Sequence, residues 1–208
     1  MGGLNVVGAV GALRETLVVP RRAKTLASLL ATLIPERARI LDVGCGDGAI
    51  ATLLVGQIPG VSVQGIDTLV WPEGKIPVRK FDGEQIPFDD GSFDVVMFID
   101  VLHHAGNPMA LLREARRVGQ LVLIKDHFRQ GFAAGITLRF MDWVGNAHHR
   151  VALPYNYWTP AEWAAAFDEV SLRPLEMIRS LGLYPLPASL IFERHLHFIG
   201  LFEPSAET

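Results

Sequence analysis

One stretch limits what this chain can become more than any other: Ile40-Leu41-Asp42-Val43-Gly44-Cys45-Gly46-Asp47-Gly48. A short apolar run of strand character stops in glycines and passes into Ala49-Ile50-Ala51-Thr52-Leu53-Leu54. Glycine lets a backbone turn sharply and come close to a ligand without a Cβ clash. A helix that starts there offers unpaired N–H groups to an anionic group. Asp67 follows about 20 residues on, at the end of the next strand-like run, where an acid can bond both hydroxyls of a ribose. Asp82 ends a weaker third run, and Asp100 ends a fourth.

Around this stretch the pattern alternates. Leu26, Leu29, Leu30 and Leu33 recur at helical spacing in residues 21–34, and Pro35 closes that helix. Strands are expected at Arg39–Val43, Val61–Asp67, Val78–Asp82, Phe93–Asp100 and Gln120–Lys125. The almost unbroken β-branched and aromatic run from Phe93 suits a central strand buried on both faces. Helices are expected over Asp47–Gly56, with Asp47 as N-cap, and over Pro108–Arg117. Glu176–Leu181 and His197–Glu203 read as two final strands that pair antiparallel, joined by a Pro-rich stretch without a helix. Alternating strands and helices imply a Rossmann-like, doubly wound α/β sheet, here mostly parallel with an antiparallel C-terminal strand.

Composition narrows the classes of partner. The 208 residues carry 19 Lys+Arg against 22 Asp+Glu, a formal charge of −3, without the basic excess of a nucleic-acid binder. One cysteine, Cys45, forms no internal disulfide and suits a reducing compartment. Mean hydropathy is +0.27, yet the long uncharged stretch Ala49–Ile66 is broken by Gly56, Pro59 and Gly60. The expectation is a cytoplasmic protein, with peripheral membrane contact left open.

Gly44-Cys45-Gly46-Asp47-Gly48-Ala49 also satisfies the loose G-x-G-x-x-G/A dinucleotide fingerprint, so NAD remains an alternative at this point. Two carboxylates argue against it. Asp42 precedes the glycines and Asp47 lies among them, which is unwelcome beside a pyrophosphate and welcome beside a sulfonium or ammonium. No G-x-x-x-x-G-K-[ST] phosphate loop is present.

Taken together, ILDVGCGDG, Gly65-Ile66-Asp67, Phe81-Asp82-Gly83-Glu84-Gln85-Ile86-Pro87-Phe88, Ser92-Phe93-Asp94-Val95-Val96 and Val101-Leu102-His103-His104 resemble the class I S-adenosylmethionine-dependent methyltransferases. The small-molecule type that includes the ubiquinone/menaquinone methyltransferases is the most similar. The likeness covers roughly residues 36–126 well. It implies that Asp42, Gly44, Cys45 and Gly46 hold the methionine part of S-adenosylmethionine, with Asp67 and Thr68 at the ribose. By the same likeness Asp82 and Gly83 meet the adenine, and Asp100 and Val101 line the methionine end. The chain departs from the family at Arg116-Arg117-Val118-Gly119-Gln120, which is shorter than usual and has one glycine, leaving the turn before strand five in question.

The likeness implies methyl transfer to a small, hydrophobic acceptor, with O- or C-methylation favoured over N. His103 and His127, at strand ends, are candidate bases; His104, Tyr155, Tyr157 and Trp158 are candidate acceptor contacts. Asp126 beside His127 can tune it, although neighbours on a strand point to opposite faces. His148, His149 and Asp142 fit no standard metal spacing, and no metal is expected. The alternatives are a nicotinamide-dependent oxidoreductase and a cofactor-binding partner subunit without activity. One domain is expected: an N-terminal helical cap (1–35), a cofactor-binding core (36–127), a substrate lid (128–170) and C-terminal strands (171–208). The lid reading rests on 8 of the chain's 18 aromatics falling within residues 128–163. The first 20 residues read as a lid, a membrane contact or a frayed end, and oligomeric state is not legible.

Overall fold

A computed structural model describes residues 19–70, 74–146 and 154–205. The apolar stripe of the first 18 residues and the His148–His149 pair lie outside them.

The described chain runs α1 (Val19–Ala31), β1 (Arg39–Val43), α2 (Ala49–Gln57), β2 (Ser62–Asp67), β3 (Val78–Lys80) and β4 (Phe93–Ile99). A 3-10 turn at Leu102–His104 follows, then α3 (Pro108–Val118), β5 (Gly119–His127), α4 (Ala134–Asn146) and α5 (Pro160–Glu169). The chain ends with β6 (Leu172–Ile178), α6 (Ser189–Phe192) and β7 (His197–Pro204). The sheet has seven strands in the order β3-β2-β1-β4-β5-β7-β6. The first five positions pair in parallel, β7 runs antiparallel to β5, and β6 antiparallel to β7. This is the Rossmann-like sheet expected from the sequence, with an antiparallel pair of strands at its C-terminal edge.

Period-two alternation divides the core between the two faces. Ile40, Val95 and Leu123 pack with Leu26 and Leu30 of α1 and Leu54 of α2. Leu41, Val96 and Val122 pack on the other face with Leu112 of α3 and Trp163 of α5. β4 and β5 are thus covered on both sides, which is why Val95–Ile99 and Leu121–Ile124 are unbroken apolar runs.

Several local expectations shift. α2 starts at Ala49 after Gly48, which is in the left-handed region (φ +78°), and no side chain caps it. Asp47 instead accepts from the Ala49 N–H at 3.0 Å and pairs with Lys75 at 2.5 Å. β3 is shorter than expected and β5 longer at both ends. There is no turn before β5: α3 ends at Val118 and the strand begins at Gly119. A Cβ on Gly119 would stand 2.5 Å from Val96 Cγ2, so the absence of a side chain lets β5 start flush against β4. β6 begins at Leu172, earlier than expected, and a single helical turn, α6, occupies the Pro-rich stretch.

The aromatic segment divides in two. Phe128 and Trp163 are core, stacked on or against Phe198. Phe132, Phe140 and Trp143, on or near α4, are exposed.

Candidate functional site

All the expected site residues up to His127 sit where the parallel strands end, the edge at which an open α/β sheet takes ligands. Gly44 continues β1, donating its N–H to the Ile66 carbonyl at 2.8 Å. Its φ is +71°, and a Cβ there would lie 2.6 Å from Val101 Cγ2, so glycine is required twice over. Gly46, also left-handed at φ +56°, has nothing within 4 Å of its absent Cβ. Its N–H donates to Asp67 Oδ2 at 2.8 Å, while Asp67 Oδ1 accepts from Leu69 N–H at 2.9 Å. The second acid is thereby fixed at the mouth of the glycine loop.

The result is a cavity of about 430 Å³ lined by Gly44, Gly46, Asp67, Thr68, Asp82 and Gly83 on one side and Asp100 and Val101 on the other. Asp82 spends Oδ1 on the N–H groups of Glu84 and Gln85, both at 2.8 Å, and those bonds lower its pKa. Asp42 and Cys45 do not line this cavity. Cys45 Sγ packs over Gly65, where a Cβ would come within 2.6 Å of it, and burial pushes its thiol up to about 12. Asp42 is 3% exposed, and burial, then the neighbouring Asp67, raises its carboxyl to about 7. Among the described residues no cation pairs with it.

A second cavity of about 240 Å³ opens from the first across two shared residues, Asp100 and His104. Asp100 is left-handed (φ +60°), a conformation that aspartate tolerates better than most residues. It pairs with Arg22 of α1 at 2.6 Å and closely with Lys125, which has no exposed surface. Burial works to raise the Asp100 pKa, but Lys125 and Arg22 outweigh it and hold the carboxyl well below its usual range. Burial likewise lowers the Lys125 pKa, with Asp100 opposing.

Beside them stands a cluster of imidazoles and carboxylates. His103, 1% exposed, places Nδ1 2.7 Å from Asp126 Oδ1, and its Nε2 lies 3.7 Å from Asp142 Oδ1. Burial opposes its charge, but Asp126, Asp142 and Asp100 prevail and lift its pKa to about 10. His127 goes the other way: burial and then Lys125 depress it to about 4. Asp126 and His127, expected on opposite faces, converge because Asp126 Oδ1 folds back to accept the His127 N–H at 2.8 Å. That carboxylate then lies 3.4 Å from His127 Nδ1. Tyr157 Oη donates to Asp142 Oδ2 at 2.7 Å, and His104 Nε2 lies 3.2 Å from Asp142 Oδ1.

The expected residues therefore separate. His103, His104, His127 and Tyr157 share the second cavity. Tyr155 and Trp158 instead line a larger outer one of about 680 Å³, with Arg129 and Arg139. Trp158 packs edge-on to Trp163. His103, enclosed and held charged, has no lone pair with which to accept a proton. His127 stays neutral. Arg22, Lys125 and Tyr184 were not singled out in the sequence. Lys125 had a signal, a lysine ending an otherwise apolar strand. Arg22 had none, since the stripe of α1 shows only its apolar face. Asp142 was weighed only as a metal ligand.

Comparison with known proteins places this geometry. A family model described as a methyltransferase domain matches residues 18–176. The 27-O-demethylrifamycin SV methyltransferase of Amycolatopsis mediterranei is 29% identical over 118 residues, 50% of this chain and 43% of that protein. The demethylmenaquinone methyltransferase of Thermotoga maritima is 29% identical over 113 residues, 49% of this chain and 48% of its own. The matched segment thus spans about half the length of these relatives. A SAM-dependent methyltransferase from Aquifex aeolicus has the same fold, with a TM-score of 0.62 at 17% identity, covering 94% of this chain and 98% of its own.

Proposed function

This chain belongs to the methyltransferase-domain family, and from that premise we propose that it transfers a methyl group from S-adenosylmethionine to a small, hydrophobic acceptor. The observation that carries the reading is the pair of adjoining cavities. One is built from a glycine loop and a strand-end carboxylate, the other from polar side chains, and they meet at Asp100 and His104.

The donor cavity fits the cofactor on chemical grounds. Gly44 leaves bare backbone where a side chain would run into Val101, and Gly46 follows in a left-handed turn. Asp67 presents a carboxylate at the position a ribose diol needs. Asp42 is a buried acid without a cationic partner among the described residues, beside the loop that would receive an ammonium and a sulfonium. When bound, the cofactor supplies a methyl group activated by the sulfonium. This chain's residues then have to orient and enclose the reactants, the proximity form of catalysis. Val101 packs against Gly44 and fixes the floor. Asp100, locked by Lys125 and Arg22, holds the junction between the two cavities.

In the acceptor cavity, neutral His127 and Tyr157 face the space an acceptor occupies, and His103 shapes it as a fixed charge. O- or C-methylation is favoured over N-methylation, in keeping with the names of two relatives, a 27-O-demethylrifamycin SV methyltransferase and a demethylmenaquinone methyltransferase. Tyr155 and Trp158, on the outer cavity, serve as a vestibule for the same acceptor.

Isothermal titration with S-adenosylhomocysteine, beside NAD⁺ as control, tests the donor site. The expectation is binding of the thioether nucleoside alone, weakened at least tenfold by Asp67→Ala. Binding of NAD⁺ in its place, or an unchanged affinity in the variant, overturns the assignment.

A further inference from the structure

We propose that His103, His104 and Asp142 form a binding site for a transition-metal divalent cation at the wall of the second cavity. The three residues come from two segments far apart in sequence, the 3-10 turn after β4 and the body of α4. They meet only in the fold, so no metal spacing is legible along the chain.

The distances suit an ion. Asp142 Oδ1 lies 3.2 Å from His104 Nε2 and 3.7 Å from His103 Nε2, and the three ligand atoms lie mutually within 4.8 Å. For metal–ligand bonds of about 2.1 Å, neighbouring ligands stand roughly 3.0 Å apart in an octahedron and roughly 3.4 Å apart in a tetrahedron. The cluster needs only a small inward shift to close on a cation.

The surroundings are those of a supported site. A ligating imidazole commonly gives its other ring nitrogen to a carboxylate, which sets tautomer and ring orientation. His103 does this: Nδ1 is 2.7 Å from Asp126 Oδ1, leaving Nε2 toward the cluster, where the ion takes the place of the proton that Nε2 carries in the ion-free protein and that is released on binding. The ligating carboxylate is held as well, since Asp142 Oδ2 accepts from Tyr157 Oη at 2.7 Å. Two imidazoles and one carboxylate favour zinc, iron, cobalt or manganese over magnesium or calcium, whose preferred ligands are oxygens. A second grouping, Asp100 with His103 and His127, shares one residue with the first. It is the poorer site, because both Asp100 oxygens already serve Arg22 and Lys125. The open coordination positions face the cavity and take water or an oxygen of the acceptor. That last role rests on the proposed function, whereas binding of the ion does not.

The test is a titration of untagged, chelator-treated full-length protein with Co²⁺, followed by visible absorption and by competition with Zn²⁺. One equivalent per chain, with ligand-field bands, is expected. Asp142→Asn and His104→Ala should each weaken binding at least tenfold, and Asp126→Asn about tenfold, through the ring it orients. The absence of ligand-field bands at stoichiometric Co²⁺, or an unchanged affinity in Asp142→Asn, overturns the site. If the variants fail to fold, X-ray absorption on the unmodified cobalt protein decides: two imidazoles per ion support the site and none overturns it. A parallel S-adenosylhomocysteine titration on metal-free protein separates the two claims. Nucleoside binding without cobalt binding sinks only the metal site, and the reverse sinks only the methyltransferase reading.

Discussion

At the scale of single residues, Asp42 shows how burial moves an acid's pKa into the range where a bound cation would shift it. With 3% of its surface exposed and Asp67 nearby, it carries a carboxyl pKa of about 7. A raised pKa means that the folded chain holds a proton the unfolded chain has lost. The associated stability is present below the ordinary carboxylate pKa and is lost as pH rises through about 7. A rise from the ordinary carboxylate range to about 7 corresponds to roughly 4 kcal/mol given up by the ligand-free protein at alkaline pH. A sulfonium or ammonium nearby favours the ionised form. S-Adenosylhomocysteine affinity should therefore rise with pH up to about 7 and level off above it. Asp42→Asn should flatten that profile and raise the thermal midpoint of the ligand-free protein at pH 8. Titration calorimetry from pH 5.5 to 8.5 measures the first effect and differential scanning the second. A wild-type profile that does not change with pH removes Asp42 from the site.

Among the elements, legibility in the sequence followed the size of the local signal. β1 with its glycine loop, β4 and α3 were readable because apolar runs, glycines and caps are local. α5 carries a signal of the same local kind. Thr159-Pro160-Ala161-Glu162 forms a capping box, with the Thr159 hydroxyl accepting from the Glu162 N–H at 3.2 Å and the Glu162 carboxylate from the Thr159 N–H at 2.6 Å. Thr159→Ala should cost about 1 kcal/mol of stability in urea unfolding while leaving nucleoside affinity unchanged. A loss of affinity would mean that α5 reaches the donor cavity. The start of β6 was misread because Arg173 and Pro174 look like loop, while the strand is specified by β7 beside it. The site divides the same way. Asp67 and Gly46 were visible from spacing. Arg22, Lys125 and Asp142 were not, because their roles depend on α1, β5 and α4 converging on one edge of the sheet.

On the scale of the whole molecule, more than one cavity competes for the ligand, and the one assigned to the cofactor is smaller than a neighbour. The outer cavity of about 680 Å³, with Arg129 and Arg139, exceeds the glycine-loop cavity of about 430 Å³. Size alone is a weak guide. The outer cavity is built on the turn at Gly131, α4 and the segment before α5, and among the described residues that line it none is a carboxylate. The sheet order puts the change of direction between β1 and β4, which is where an open α/β sheet takes its ligand. Hydrogen exchange with saturating S-adenosylhomocysteine distinguishes the two. Protection should concentrate at residues 44–48, 67–69, 81–84 and 101–107, with amides of the β6–β7 pair slowed only as far as global stabilisation requires. At 100 times the dissociation constant that global term is about 2.7 kcal/mol. It appears only in amides that exchange through complete unfolding, whereas a loop that opens locally reports its own contact. A footprint over 129–139 instead would move the cofactor to the outer cavity and leave the glycine turn with only a structural task.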